Sequence, residues 1–500
     1  MKLLRRILLG LLVIPLICAS AIAQDVTLTS RDQSIELTGT LLGYDGEFYR
    51  IDTVYGELTL DGSGVLCSGP GCPNLESYVA ELTLSGSASM GRVLLPALIQ
   101  GFARHYGYQA KQQDITPRLV QYRIVSPETG DLVGVFSLKL STSNEGFADL
   151  LTNEADIAMS RRLVSTSEQN MAYAAELGDL SASTQQKVVA LDALVTVVSS
   201  EIDMTGLTLT QIASLADGSL DNWVSLNGED APLFFDPPTA DDVQSLADQM
   251  RKVGVSLEQV SAGQLISDIS SNPLAIALMN LSEIQEEMRV LPIIGECGIA
   301  LVPTSQNIRT ADYPLTAPMT LYRPMRRMPK MAQEFWDYLD SPSAQRVVHR
   351  SGFVNQQFSE TEIAVQGNRL ANAISSADNS DDFASLQKAM AILKGRRRLN
   401  ITYRFDEGGF DAQSLGNIDR LARMVDRGDL DGRTVLFAGF DEADSLKLAD
   451  DVRRAVEGAV KTDKSEVEFA AVGLGSVMPI ACVDASWGQV INRRVEIWLR

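Results

Sequence analysis

Residues 82–108 read LTLSGSASMGRVLLPALIQGFARHYGY, and the small-residue run Ser85-Gly86-Ser87-Ala88-Ser89 is the first stretch that could do chemistry. A turn of small residues opening a helix aims several backbone N–H groups at one spot, with the positive end of the helix dipole behind them. Such a spot suits an anion, and the Ser87 and Ser89 hydroxyls add donors beside the Ala88 N–H. The competing reading is a tight strand-to-helix connection that binds nothing. Nucleophilic chemistry has little to work with. The chain holds only two histidines, His105 and His349, and neither stands in a catalytic context. No catalytic residue, metal site or cofactor is therefore expected. Cys67-Ser-Gly-Pro-Gly-Cys72 is a tight turn that could close a disulfide or form half of a metal site. With so few histidines as partners, the disulfide is expected. Cys297 and Cys482 lie far apart in sequence and are expected as separate buried thiols.

The elements that would position these residues follow from periodicity. Leu94, Leu95, Leu98, Ile99, Phe102 and Tyr106 fall near one face of a helix, and Pro96 blurs where that helix begins. From about residue 78 to 358 strands and helices alternate, which predicts an α/β domain with a largely parallel sheet. Residues 132–140 read as a strand and 146–151 begin a helix. A short strand over 156–159 leads into Ser160-Arg161-Arg162. The apolar runs 188–199 and 293–303 have the character of buried strands, and 331–339 and 344–349 look helical. Upstream, residues 25–75 alternate in short runs (Ile35/Leu37, Phe48/Ile51, Leu58/Leu60) with Asp45-Gly46 and Asp61-Gly62 at turns. That pattern predicts a small SH3-like barrel.

Composition bounds the setting. Five hundred residues predict several domains. Residues 1–23 carry a basic head (Lys2, Arg5, Arg6), an apolar core and Ala21-Ile22-Ala23, the pattern of a cleaved secretory signal peptide. Cys18 follows Ile17, a poor context for lipidation. No other apolar run is long enough to span a membrane, so a soluble exported chain is expected. The formal charge of −21, about −24 without the leader, argues against nucleic acid and anionic membranes as partners.

Three passages carry a resemblance. Residues 153–164 are NEADIAMSRRLV, 207–228 are LTLTQIASLADGSLDNWVSLNG, and YPLTAPMTLYRP (313–324) is followed by FWDYLDSPSAQRVVHRSGFV (335–354). Together with the first loop they resemble the periplasmic phosphate-binding proteins, the substrate receptors of ABC importers, over about 270 residues. The resemblance implies two α/β lobes with a ligand cleft between them. It implies oxyanion donors at Ser87, Ala88, Ser89, Ser141, Ser160 and Arg162, with more from Thr142 and Ser143; Thr239, at the start of a later helix, could cap that helix or contact a ligand. Arg162 could equally serve as an interlobe salt bridge. One departure matters. The family's R-x-x-G-S-G-T passage is replaced by EDAPLFFDPPTADDVQS, which has no Arg or Gly but brings Asp236, Asp241 and Asp242. Phosphate would lose charge-assisted hydrogen bonds worth about 1.5–3 kcal/mol each and meet carboxylates instead.

The last hundred residues resemble an OmpA-like peptidoglycan-binding domain. The carriers are NITYRF (400–405), a helix over 415–425, Gly439-Phe440-Asp441 after a strand, residues 472–479, and the closing Asn492-Arg493-Arg494-Val495-Glu496. In that family an Asp and an Arg grip the zwitterionic diaminopimelate residue of the wall. Asp441 matches the Asp. The Arg falls on Arg454 or Val452 depending on which residue anchors the helix motif, with Arg453 adjacent and Arg493 able to line the pocket. The competing reading pairs Arg453 and Arg454 with Asp450 and Asp451.

The expected organisation is a signal peptide (1–23), a small all-β SH3-like domain (25–75), a two-lobed α/β periplasmic binding protein fold (78–358), a polar helical connector (359–399) and an α+β OmpA-like domain (400–500). The basic run Arg396-Arg397-Arg398 is expected as a solvated boundary. The expected function is a non-enzymatic periplasmic solute-binding protein, taking phosphate or another small anion for import or sensing and anchored to peptidoglycan. An ABC permease is a further partner on this reading. The location is the cell-wall-associated periplasm, with outer-membrane association open. The alternative is an envelope scaffold or sensor whose cleft is vestigial or holds a protein partner.

Overall fold

The computed structural model describes residues 25–500 except 32, 75–77, 256, 258–268, 270–271, 273, 378, 407–408, 463–465 and 484. The leader expected at 1–23 lies outside the described residues. The chain divides into a unit ending at Ala80 and a second unit from Glu81 to Arg500.

The first unit is a five-stranded antiparallel sheet, ordered Gly56–Asp61, Phe48–Thr53, Glu36–Tyr44, Asp25–Ser30, Val65–Ser68. Val26, Leu28, Tyr49 and Ile51 form its core. The last two strands in sequence are joined only by the short turn Gly62–Gly64, yet they occupy opposite edges. Four residue steps reach at most roughly 14 Å, so the sheet must be strongly coiled there. No ladder between those edges is present among the described residues. A disulfide joins Cys67 and Cys72.

In the second unit a ten-stranded sheet runs through two lobes. Its organising strand is Gln186–Ser199. The first half pairs antiparallel with Thr316–Tyr322, and the second half pairs with Ala275–Asn280 and Met288–Leu291. We define the first lobe as residues 81–193 and 316–358, and the second as 194–315. The first-lobe strands are Ile157–Ser160, Ala80–Ser87, Leu132–Ser141, Leu119–Val125 and Gln109–Thr116, in that order from Thr316–Tyr322 outward. Parallel pairing holds between Ala80–Ser87 and Ile157–Ser160, and between Phe234–Asp236 and Ala275–Asn280. The expectation of a largely parallel sheet is corrected. The outer strands form a hairpin meander, and the two long strands linking the lobes run against each other.

The C-terminal region is a mixed five-stranded sheet ordered Glu360–Glu362, Arg397–Tyr403, Arg494–Leu499, Thr434–Phe440, Glu468–Gly473. Its strand Thr434–Phe440 is apolar on both faces, so both need cover. Val435 and Phe437 pack beneath helices Ala412–Asp426 and Ser445–Ala459. Leu436, Ala438, Phe440 and Trp498 pack beneath Gly367–Ser375 and Ser380–Leu393. Residues 359–399, read from sequence as a connector, therefore supply an edge strand and two helices to this sheet.

This region is docked on the second lobe. Cys297 and Cys482 are joined by a disulfide, which corrects their reading as separate thiols. Ile480, Ala481 and Ile491 enter the same apolar core as Leu246 and Met250 of the second lobe. Asp312 accepts from Arg404 at 2.6 Å and from Arg398 at 3.3 Å, all three nearly fully buried. Arg398 is thus no solvated boundary residue. Helix Ala412–Asp426 touches both lobes. Lys252 binds its cap residue Asp411 at 2.7 Å and Gln413 donates to the Arg309 carbonyl, while Arg423 faces Asp340 at 3.6 Å.

Candidate ligand cleft

Three segments of the first lobe converge at the ends of its strands. Near the end of Ala80–Ser87, Gly86 holds φ +131°, and a Cβ there would stand 2.1 Å from the Met159 carbonyl oxygen. Only glycine fits that position. Ser87 and Ser89 hydroxyls lie 2.9 Å apart, and a short π-helical turn, Met90–Leu94, leads into helix Leu95–His105 with Pro96 in its first turn. The second segment follows strand Leu132–Ser141. Thr142 caps helix Ser143–Leu151 through a reciprocal pair with Glu145. Gly146 lets that helix close on the first loop, since a Cβ would meet the Gly86 Cα at 2.7 Å. The third segment is Ser160-Arg161, where the Arg161 N–H donates to Ser143 Oγ at 3.0 Å.

The second lobe meets these segments with carboxylates. Asp241, in the first turn of helix Ala240–Lys252, places one oxygen 2.9 Å from the Ser143 N–H nitrogen and 2.7 Å from Ser143 Oγ. Asp242 accepts from the Arg161 guanidinium, from Thr239 at 2.7 Å and from Asn280 at 3.2 Å. Arg161 is fully buried. Asp192, on the strand that links the lobes, accepts from the Ala193 N–H and from both Ser282 donors. Burial pushes the Asp192 carboxyl above its usual range, with Arg161 and Ser282 opposing that rise. The Arg161 guanidinium therefore stands among three buried carboxylates, Asp192, Asp241 and Asp242, of the described residues.

The residues expected from sequence are distributed differently. Ser87 and Ser141 are the last residues of two converging first-lobe strands, with Ala88 and Ser89 directly after Ser87; Ser141 reaches the Gly86 carbonyl at 3.4 Å. Ser160 is engaged locally, donating to the Arg162 carbonyl and accepting the Arg162 N–H. Arg162 is neither a cleft donor nor an interlobe bridge. Glu168 and Asn144 of its own lobe hold its guanidinium, which stacks 4.8 Å over Phe147. Thr239 caps helix Ala240–Lys252. The cleft guanidinium is that of Arg161. Adjacent residues leaving a strand point to opposite sides, so one arginine of the pair must face inward, but nothing local says which. Ser143 was legible as a donor, and Asp241 and Asp242 as acids; their mutual contact was not. A groove of about 620 Å³ lined by Arg92, Gln112, Asp114 and Tyr122 lies on the outer strands and includes none of these residues.

In the C-terminal region the ladder ends at the pairing of Phe440 with Arg494, so that Asp441 leaves one strand and Arg493 enters the other at the same end of the sheet. Arg493 stacks over Phe405 at 5.5 Å. Arg453 is held by Asp450 and Glu457, and Arg454 by Asp450 and Asp451, all on their own helix. Val452 is core.

Residues 72–343 match the model of the PBP superfamily domain. The phosphate-binding protein PstS of Borreliella burgdorferi is 23% identical over 189 residues, covering 34% of this chain. The chain spans 65% of the length of that relative. Among solved structures, an ABC-type phosphate transport receptor from Vibrio cholerae is 20% identical with a TM-score of 0.41, over 55% of this chain and 99% of that one. PstS from Borrelia burgdorferi is 19% identical with a TM-score of 0.36, over 55% and 98% respectively.

Proposed function

The chain belongs to the PBP superfamily, a family of binding proteins rather than enzymes, and we propose that its two-lobed module serves as a closed envelope scaffold. One observation carries this reading: across the cleft, Asp241 and Asp242 take the donors that a free anion would need. A phosphate dianion would have to displace two carboxylates from a buried site and then face them. Each charge-assisted hydrogen bond forgone is worth about 1.5–3 kcal/mol. Helix Ala412–Asp426 adds to the same reading, because its contacts with Lys252, Arg309 and Asp340 clasp both lobes. Opening the cleft would break some of them.

Calorimetric titration of the whole exported chain with phosphate, in buffer free of it, tests the proposal. Absence of heat together with an unmoved melting temperature is the expected result. Micromolar binding would restore the reading of an importer's phosphate receptor, which the relatives' names and the retained Ser87 and Ser89 hydroxyls favour. For the C-terminal region, wall binding finds support in Asp441 and Arg493 standing at the same end of the sheet, one acid and one base able to match a zwitterionic amino acid. Co-sedimentation with purified peptidoglycan, lost in Asp441→Ala, would be the positive outcome.

A further inference from the structure

We propose that Asp241 and Asp242 are a built-in oxyanion substitute, occupying a latent site whose donors are Ser143 and Arg161, and that removing both opens this site to phosphate or sulfate. The inference rests on the closed reading above and names the chemistry that closure conceals.

The donor geometry supports it. Ser143 is the first residue of a nine-residue helix, and one Asp241 oxygen receives both its N–H and its hydroxyl. The hydroxyl is aimed: its oxygen already accepts the Arg161 N–H, which leaves its hydrogen for the carboxylate. A tetrahedral oxyanion placing one oxygen there would receive the same two bonds, with the helix dipole behind them. Arg161 offers more than Asp242 uses. Its Nη1 serves Asp242, whereas Nε and Nη2 have no hydrogen-bond partner among the described residues, although the side chain is fully buried. Nε and Nη2 form the edge of a guanidinium that binds two oxygens at once. Ser245 Oγ, one helical turn beyond Asp241, is likewise buried without a partner among the described residues. Both aspartates come from the opposite lobe, so they act as a ligand does: they join first-lobe donors to second-lobe backbone. The second oxygen of Asp241 is buried without a donor among the described residues. That oxygen and the charge of Asp242 are what bar an external anion from the wild-type cleft.

The test uses the whole exported chain and its Asp241→Ala/Asp242→Ala variant, titrated with inorganic phosphate and, separately, sulfate, against potassium chloride at matched ionic strength. The variant should gain at least a hundredfold in affinity over the wild type, with a melting temperature that rises with either oxyanion and not with chloride. Adding Arg161→Gln should abolish the gain. Should the double variant fail to fold, Asp241→Ala keeps the Asp242–Arg161 pair and should still show a gain of about tenfold through the freed Ser143 donors. A folded variant as silent as the wild type overturns this inference and leaves the closed reading standing. Wild-type binding equal to the variant's overturns both.

Discussion

Replacing Asp312 with alanine is the sharpest probe of how the C-terminal region is held. The Asp312 carboxylate accepts from Arg404 Nη2 at 2.6 Å and from Arg398 Nη2 at 3.3 Å, with every side chain in the cluster about 5–6% exposed. Two charge-assisted bonds at about 1.5–3 kcal/mol each set an upper range near 6 kcal/mol. Removing one member of a buried ion pair typically costs about 3–5 kcal/mol, because the remaining charge stays desolvated. The arginines are not left bare: Arg398 keeps Glu496 at 3.4 Å, and Arg404 keeps the Ile491 carbonyl. The lower end, about 3 kcal/mol, is therefore expected for Asp312→Ala, and about half of that for Asp312→Asn, which keeps an acceptor. The assay is urea denaturation followed by tryptophan fluorescence, for which Trp498 reports the C-terminal sheet and Trp223 the second lobe. With a slope of about 3 kcal/mol per molar urea, the midpoint should fall by about 1 M. Asp429→Ala, which removes an exposed pair with Arg427, should move it by less than about 0.2 M. If Asp312→Ala moves the midpoint no further than Asp429→Ala does, the buried cluster does not hold the interface and the reasoning fails.

Serine at both Cys297 and Cys482 opens a loop closed over 185 residues and should lower stability by about 3–5 kcal/mol; an unchanged unfolding midpoint would refute it. Gly86→Ala should destabilise by at least about 3 kcal/mol, since its Cβ would collide with the Met159 carbonyl at positive φ. Gly458→Ala, exposed in helix Ser445–Ala459 with open space around it, should instead stabilise by about 0.5–1 kcal/mol, so thermal melts of the two must move in opposite directions. For Glu168, burial opposes the charge most, yet hydrogen bonds from Arg162 and Ser165 together outweigh it and hold the carboxyl below its usual 4.5. As pH falls the unfolded chain takes the proton first. The stability from Glu168 is thus present above about pH 4.5 and lost as pH drops through the lower folded value. Stability measured from pH 6 to 3 should fall less steeply in Glu168→Gln, and an identical slope would exclude the pair as a contributor.

Local physics was legible in the residues themselves. The passage from a strand through small residues into helix Leu95–His105, the alternation of strands and helices through both lobes, and the Cys67–Cys72 closure all depend on neighbours a few positions apart, although Ser85, Gly86 and Ser87 belong to the strand and not to a turn. The acidic replacement at Asp241 and Asp242 was visible too, as a change in charge. Tertiary structure decided where each charge points and what it meets. Ser143 and Asp241 are 98 residues apart, Arg161 and Asp242 are 81, and the two distant cysteines are 185. Contacts at such separations carry no periodic or spacing signal; they arise only when the strand Gln186–Ser199 brings the lobes face to face. The same holds for residues 359–399. Their polar composition suited a connector, but strand Thr434–Phe440, apolar on both faces, required their two helices as its second cover. Sequence determined which groups were available to bind an anion, and the fold determined that the chain's own carboxylates reach them.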